Sequence, residues 1–260
     1  MTQQWLERQL LPPRPGVSIA DVVTRGGWIP SAGGTGPYLS IRARIPNVSR
    51  QDIDDVVFER MELLEVPSVR DTAFLVPRAD AGIALAAGRR SYSERLRKLP
   101  VDRAELASLG KKIRKTLDDD ALTTDQLRRA LSPDSIRDLG DAGKRLGVTS
   151  TLTATLKLLQ SEGKVLRTNV ERRLDGRTHL YRRWPAEIDT TPPSDLDVAL
   201  ATRYLSWSAP STIDDFAWWS ALGKRAAKAA MASLHIDDVP TPIRRPDDAI
   251  TLLPFRDNLL

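Results

Sequence analysis

Two periods of apolar residues alternate along the chain, one helical and one of strand type. Behind Ser49, a residue that can cap a helix, Ile53, Val56, Val57 and Met61 hold the i, i+3, i+4, i+8 spacing of one buried helical face. Two β-rich runs follow at 63–66 and 72–76, joined by Pro67-Ser68-Val69-Arg70-Asp71, and predict a hairpin behind that helix. The theme returns at 149–161, where Leu152, Leu156 and Leu159 form one stripe. Ser150, Ala154, Lys157 and Ser161 fall opposite it, on a small polar face expected to be exposed. Glu162-Gly163 ends this helix, and strands at 164–170 and 178–184 flank Leu174-Asp175-Gly176-Arg177, whose Asp-Gly pair is a strong turn signal.

Helices are also predicted at 103–117, at 124–131 with Thr124 as cap, and at 133–146 with Ser132 as cap and Pro133 in the first position. The last part predicts helices at 195–206, capped by Ser194, at 212–221 and at 223–234, then a strand at 250–253. Proline and glycine punctuate the chain at 12–16, 30–37 and 190–194, and the 30–37 stretch is expected to be a loop. Three units result: 1–82 with an N-terminal helix and the glycine-rich loop, 83–189 with a basic hairpin, and 194–260. The fold class is mainly α with short β-hairpins, arranged as tandem winged-helix units, each a helix-turn-helix with a hairpin wing.

Composition narrows the chemistry. The 260 residues include no cysteine and only His179 and His235 as histidines, so thiol nucleophiles and cysteine-ligated metals are excluded, and neither metal nor cofactor is expected. No stretch approaches the roughly 18 apolar residues needed to span a bilayer, and the N-terminus lacks the blocks of a signal peptide. A cytoplasmic, nucleoid-associated monomer is the expectation. The formal charge is +5, with a sequence pI near 9.6. Residues 164–183 hold seven cations and two anions, and 89–115 hold ten and three. Such basic segments suit a polyanion, and double-stranded DNA is the expected partner.

In a winged helix, the exposed helix face enters the major groove and the wing reaches phosphates. Ser150, Thr153 and Lys157 are the candidates for the first role; Lys164, Arg167, Arg172, Arg173, Arg177, His179 and Arg182 are the candidates for the second. Trp218-Trp219 fits a core position better than a base-stacking one.

Local motifs then converge on one family. Arg8-Gln9-Leu10-Leu11, the run from Pro37 to Arg44, the run from Arg70 to Arg78, Asp214-Asp215-Phe216-Ala217-Trp218-Trp219 and the run from Leu252 to Asn258 together resemble the AlkZ-like and YcaQ-like winged-helix DNA glycosylases, a bacterial group that removes alkylated bases and unhooks interstrand crosslinks. The resemblance implies a basic cleft of three winged helices, closed by a C-terminal β-rich domain, before which this chain is expected to be truncated. It also implies a catalytic triplet, Gln–apolar–Gln or Gln–apolar–Asp, that activates water for attack on the sugar. In this sequence the triplet falls at Pro30-Ser31-Ala32, and no Gln, Asp or Glu occurs from Val22 to Asn47. Trp28, Ser31, Thr35 and Tyr38 are the pocket candidates, and Gln9, Asp52 and Asp215 are the remote groups that could substitute for the missing polar pair. The family's Arg-Gly-Thr-Leu-His hairpin reads Arg70-Asp71-Thr72-Ala73-Phe74, which sets an anion where DNA would approach. The leading expectation is DNA binding without base excision; the alternatives are an active alkylpurine or crosslink glycosylase of base-excision repair and a transcription or stress-response regulator.

Overall fold

A computed structural model describes residues 6–13, 15–32, 34–118, 120–209 and 211–234. The first part runs through α1 (Ile19–Gly26), β1 (Ile29–Pro30), α2 (Gly36–Arg42), α3 (Arg50–Phe58), β2 (Leu63–Pro67), β3 (Ala73–Pro77) and α4 (Ala81–Leu96). The middle part holds α5 (Arg103–Thr116), β4 (Leu122–Thr123), α6 (Thr124–Ala130), α7 (Gly140–Arg145), α8 (Thr151–Ser161), β5 (Val165–Asn169) and β6 (His179–Arg183). Then come α9 (Leu196–Ser208), α10 (Ile213–Ser220) and α11 (Lys224–Ala232). The fold is mainly helical with small antiparallel sheets.

The two sheets repeat one plan. In each, a two-residue leading strand and the first hairpin strand flank the second hairpin strand, giving the orders β1-β3-β2 and β4-β6-β5. Leu64 pairs with Val76 in the first sheet and Arg167 with Tyr181 in the second. Capping boxes start α1, α3, α6 and α10: Ser18 with Asp21, Ser49 with Asp52, Thr123 with Gln126 and Thr212 with Asp215 each exchange side-chain and backbone hydrogen bonds. Such a cap stabilises its helix by about 1 kcal/mol.

One core gathers residues from the beginning and the end of the described chain, from Leu10 to Ala87 and from Leu174 to Met231. Two smaller cores lie in the middle part, one around Ile113, Leu127 and Leu152 and one around Leu106 and Val148. α4 passes between the two regions. Gly88 lets it lie on β2, since a Cβ there would stand 2.4 Å from the Pro67 carbonyl oxygen. From its other side, the Tyr92 hydroxyl donates to the Ala154 carbonyl of α8 at 3.0 Å.

Several sequence expectations are corrected. α8 has no exposed small face: Ser150, Ala154 and Ser161 are buried, because α5 packs on the leucine stripe through Leu109 and Ile113 while Tyr92 of α4 and Leu106 of α5 close on Ala154. The helix expected at 133–146 is a short 3-10 turn, Pro133–Ser135, broken at the extended Ile136 and followed by α7, whose first residue, Gly140, has φ 57°. The expected 30–37 loop gives its first residue to β1 and its end to α2. Thr123 and Asp195, rather than Thr124 and Ser194, cap their helices. Met61 lies beyond α3 at φ 49°. α1 and α4 were not anticipated. The expected strand at 250–253, the run from Leu252 to Asn258 and His235 lie outside the described residues.

Candidate functional site

The loop between β5 and β6 does not project from the molecule. It folds back onto the first part of the chain, where Leu174 enters the large core. The Leu174 N–H donates to the Tyr38 hydroxyl at 2.9 Å and to the Asp54 carboxylate at 3.0 Å, while the Tyr38 hydroxyl itself donates to the same Asp54 oxygen. The Arg50 guanidinium lies 4.8 Å from the Tyr38 ring centroid and forms an ion pair with Asp175, to which Arg173 also bonds at 3.1 and 3.2 Å. Gly34, at φ 81°, allows the glycine-rich loop to touch this hairpin tip: a Cβ there would lie 2.8 Å from the Asp175 Cα. Burial pushes the Asp54 carboxyl above its ordinary value. Burial and then the Asp54 hydrogen bond push the Tyr38 hydroxyl up to about 12.

The second feature is electrostatic. Arg183 donates from Nε to the Arg114 carbonyl at 3.2 Å and pairs with Asp118, so the base of the hairpin meets the end of α5. The two basic segments of the sequence thereby meet at this contact, and Lys111, Lys112, Lys115 and Arg183 are exposed. Elsewhere on the hairpin, Arg167 pairs with Glu65 at 3.3 Å, Lys164 with Glu162 at 2.6 Å and Arg172 with Glu59 at 2.8 Å. Arg182 donates to the Met61 sulfur at 2.9 Å. Arg177 and His179 are exposed. Although His179 is exposed by surface area, its imidazole is partly desolvated by the surrounding protein, and this, with Arg167 nearby, lowers it. On α8, Ser150 caps the helix through Thr153, and Lys157 is half-buried, lowered by that burial despite the nearby Asp71 carboxylate.

A family model described as DNA glycosylase AlkZ-like matches residues 30–259. The chain belongs to the AlkZ-like family. A search of the curated proteins gives no match. Among solved structures, Streptomyces sahachiroi DNA glycosylase AlkZ is similar in fold, with a TM-score of 0.66 and 21% identity. The match covers 89% of this chain and 63% of that one, so the chain spans less than two thirds of that structure's length.

Within this AlkZ-like chain, the three residues expected from the resemblance at the catalytic triplet, Pro30, Ser31 and Ala32, lie at the edge of the first sheet. Pro30 opposes Phe74, and Ser31 donates its backbone N–H to the Ala73 carbonyl at 2.9 Å. The Ser31 side chain is 3% exposed and its hydroxyl has no protein partner among the described residues. Ala32 and Thr35 are exposed. Trp28 is buried against Trp207 and Trp219, with ring centroids 5.4 and 5.8 Å away, and donates from its indole nitrogen to Asp80 at 2.9 Å.

Each remote substitute has a structural task elsewhere. Gln9 donates to the Trp207 carbonyl at 2.8 Å, and Asp52 and Asp215 complete capping boxes. The carboxylates found here are Asp175, which touches the glycine-rich loop at Gly34, and Asp54, bonded to Tyr38 of α2; sequence reasoning missed both. Asp54 gave a usable signal: it is an acid beside the apolar Ile53, Val56 and Val57 stripe. Asp71 also departs from expectation. Its side chain turns inward to Arg95 at 2.8 Å and is 9% exposed, so it presents no anion at the turn surface.

Proposed function

We propose that this AlkZ-like chain binds double-stranded DNA, with its two helix-and-hairpin units acting as winged helices, and that it lacks efficient base excision. The shared strand plan of the two sheets supports the winged-helix reading. The meeting of the two basic segments at Arg114 and Arg183 supports phosphate contact, with Arg177 and the exposed lysines of α5 as its cations.

The chemical part rests on Ser31. Departure of a base leaves cationic character on the sugar carbon, and the attacking water must be oriented and partly deprotonated. At the triplet positions stand a proline, an alanine and one buried hydroxyl, and none of these can accept a proton at neutral pH. Duplex binding that weakens steeply between low and moderate salt is expected. Release of 7-methylguanine or 3-methyladenine from alkylated DNA, and unhooking of a crosslink, should be absent under conditions where a relative with the glutamine-containing triplet is active. Salt-insensitive binding would instead favour a regulator whose hairpins contact protein.

One observation favours the alternative of an active alkylpurine or crosslink glycosylase. Asp175 of the hairpin tip reaches the glycine-rich loop, and the carboxylate held there, lowered by Arg173 and Arg50 against the opposing effect of burial, is ionised at neutral pH. If base release is observed, its loss in Asp175→Asn but not in Ser31→Ala would assign water activation to that carboxylate.

A further inference from the structure

The adjacent tryptophans of α10 separate in the fold. Trp219 joins the aromatic cluster, with ring centroids 5.2 Å from Tyr204 and 5.8 Å from both Trp28 and Trp207. One residue earlier on the helix, Trp218 turns outward and is 44% exposed. The guanidinium of Arg70 stands 4.3 Å from its ring centroid.

Arg70 occupies the turn between β2 and β3, and that turn is held in an unusual conformation. Arg70 at φ 58° and Asp71 at φ 53° are consecutive non-glycine residues in the left-handed region. The surroundings fix them there. Val69 is fully buried, Ser68 and Thr72 are hydrogen-bonded across the turn at 2.9 Å, and Asp71 is drawn inward by Arg95. The Nε of Arg70 is buried without a hydrogen-bond partner among the described residues. A turn serving only to join two strands would relieve both features with a glycine and a solvated side chain. Strain of this kind gathers where the backbone presents a particular side chain.

We infer that Arg70 and Trp218 form a binding site for one nucleotide of a DNA strand, the indole stacking on the base and the guanidinium holding its phosphate. The inference rests on the DNA-binding reading above and adds to it a place and a chemical division of labour. Indole and guanidinium planes both stack on nucleobases, and arginine recognises phosphate through paired N–H donors. With Asp71 turned inward, Arg70 is the charge offered by the turn. On neighbouring α11, Arg225 and Lys228 are exposed, while the acidic Asp214 of α10 is engaged by Lys224 at 3.1 Å. An unpaired or extruded nucleotide suits the site better than a paired one, because a base inside the duplex has no free face for the indole.

The test measures the affinity of the full chain for two labelled 20-base-pair duplexes, one fully paired and one carrying a single unpaired nucleotide. Trp218→Ala should weaken binding to the second duplex about fivefold or more, and bind the first nearly as the wild type does. Trp218→Phe should retain most of the affinity. Arg70→Ala should reduce the salt slope by about one, and Arg70→Lys should restore that slope. Wild-type binding that Trp218→Ala and Arg70→Ala leave unchanged on both duplexes would overturn the site and leave the DNA-binding reading standing. A wild type that binds neither duplex would overturn both. Thermal melts exclude misfolding as the cause of a loss: Trp218→Ala, at an exposed position, should match the wild type, and Arg70→Lys, which keeps the charge at the half-buried turn position, serves as the folded control for Arg70→Ala.

Discussion

The Leu174 N–H and the Asp54 carboxylate are joined by a 3.0 Å hydrogen bond across 120 residues of chain. Together with the Tyr38 hydroxyl, this bond fastens the tip of one hairpin into the other half of the molecule. Replacing Asp54 with alanine leaves the half-buried Tyr38 phenol without its acceptor and the buried Leu174 N–H with the Tyr38 oxygen alone. Unsatisfied groups of this kind cost roughly 1–3 kcal/mol each. Asp54→Ala should therefore lose about 1–3 kcal/mol, read as a lower urea midpoint in equilibrium unfolding.

The same carboxyl predicts a pH dependence. Its folded value is raised above the ordinary 3.8, chiefly by burial, so protonation favours the folded state. That contribution is complete below the unfolded value and disappears as pH rises through the folded one. Asp54→Asn keeps an acceptor for both donors and removes the charge. The difference in stability between the variant and the wild type should shift in favour of the variant as pH rises from about 4 to 7, in paired urea titrations.

The hairpin arginines separate into two groups. Arg172 and Arg173 are engaged by Glu59 and Asp175, whereas Arg177 is exposed with no ion pair among the described residues. Arg177→Ala alone should weaken duplex binding and lower the salt slope by about one. Adding Arg172→Ala and Arg173→Ala should lower the affinity further and uniformly across sequences, at a stability cost of about 1 kcal/mol or less per exposed ion pair lost. Retained affinity in the triple variant would move the contact to the α5 lysines.

Ser31 offers a simpler stability test. Its buried hydroxyl lacks a protein partner, so Ser31→Ala removes a desolvated polar group and leaves almost no void. The melting temperature should stay unchanged or rise slightly, where a hydrogen-bonded buried serine would lose about 1 kcal/mol.

Elements whose sequence carries one unambiguous stripe were legible. α3 follows from Ser49, Ile53, Val56 and Val57, and the buried side of α8 from Leu152, Leu156 and Leu159. α4 was not, because Ala84, Ala86, Ala87 and Gly88 are buried on several sides at once and leave no contrast between an apolar and a polar face. The polar side of α8 misled for the converse reason. Small residues such as Ser150, Ala154 and Ser161 suit a groove-entering surface and a close helix contact equally well, and only tertiary packing distinguishes them. The family was legible through motifs spread along the chain. The anchorage of the hairpin tip was not, because Asp54, Asp175 and Arg50 are ordinary surface types whose meeting depends on a contact between distant segments.

The large core also bears on how the protein is made. Leu10, Val23 and Trp28 pack in one cluster with Trp207, Phe216 and Met231. A ribosome has released most of the polypeptide before that cluster can close, so the earliest-made helices and sheet leave the exit tunnel with apolar faces still uncovered. The middle part, whose smaller cores draw on residues from Leu96 to Tyr181, is complete before then. Synthesis thus imposes an order in which the segment made second is packed first and the N-terminal helices wait for their C-terminal counterparts.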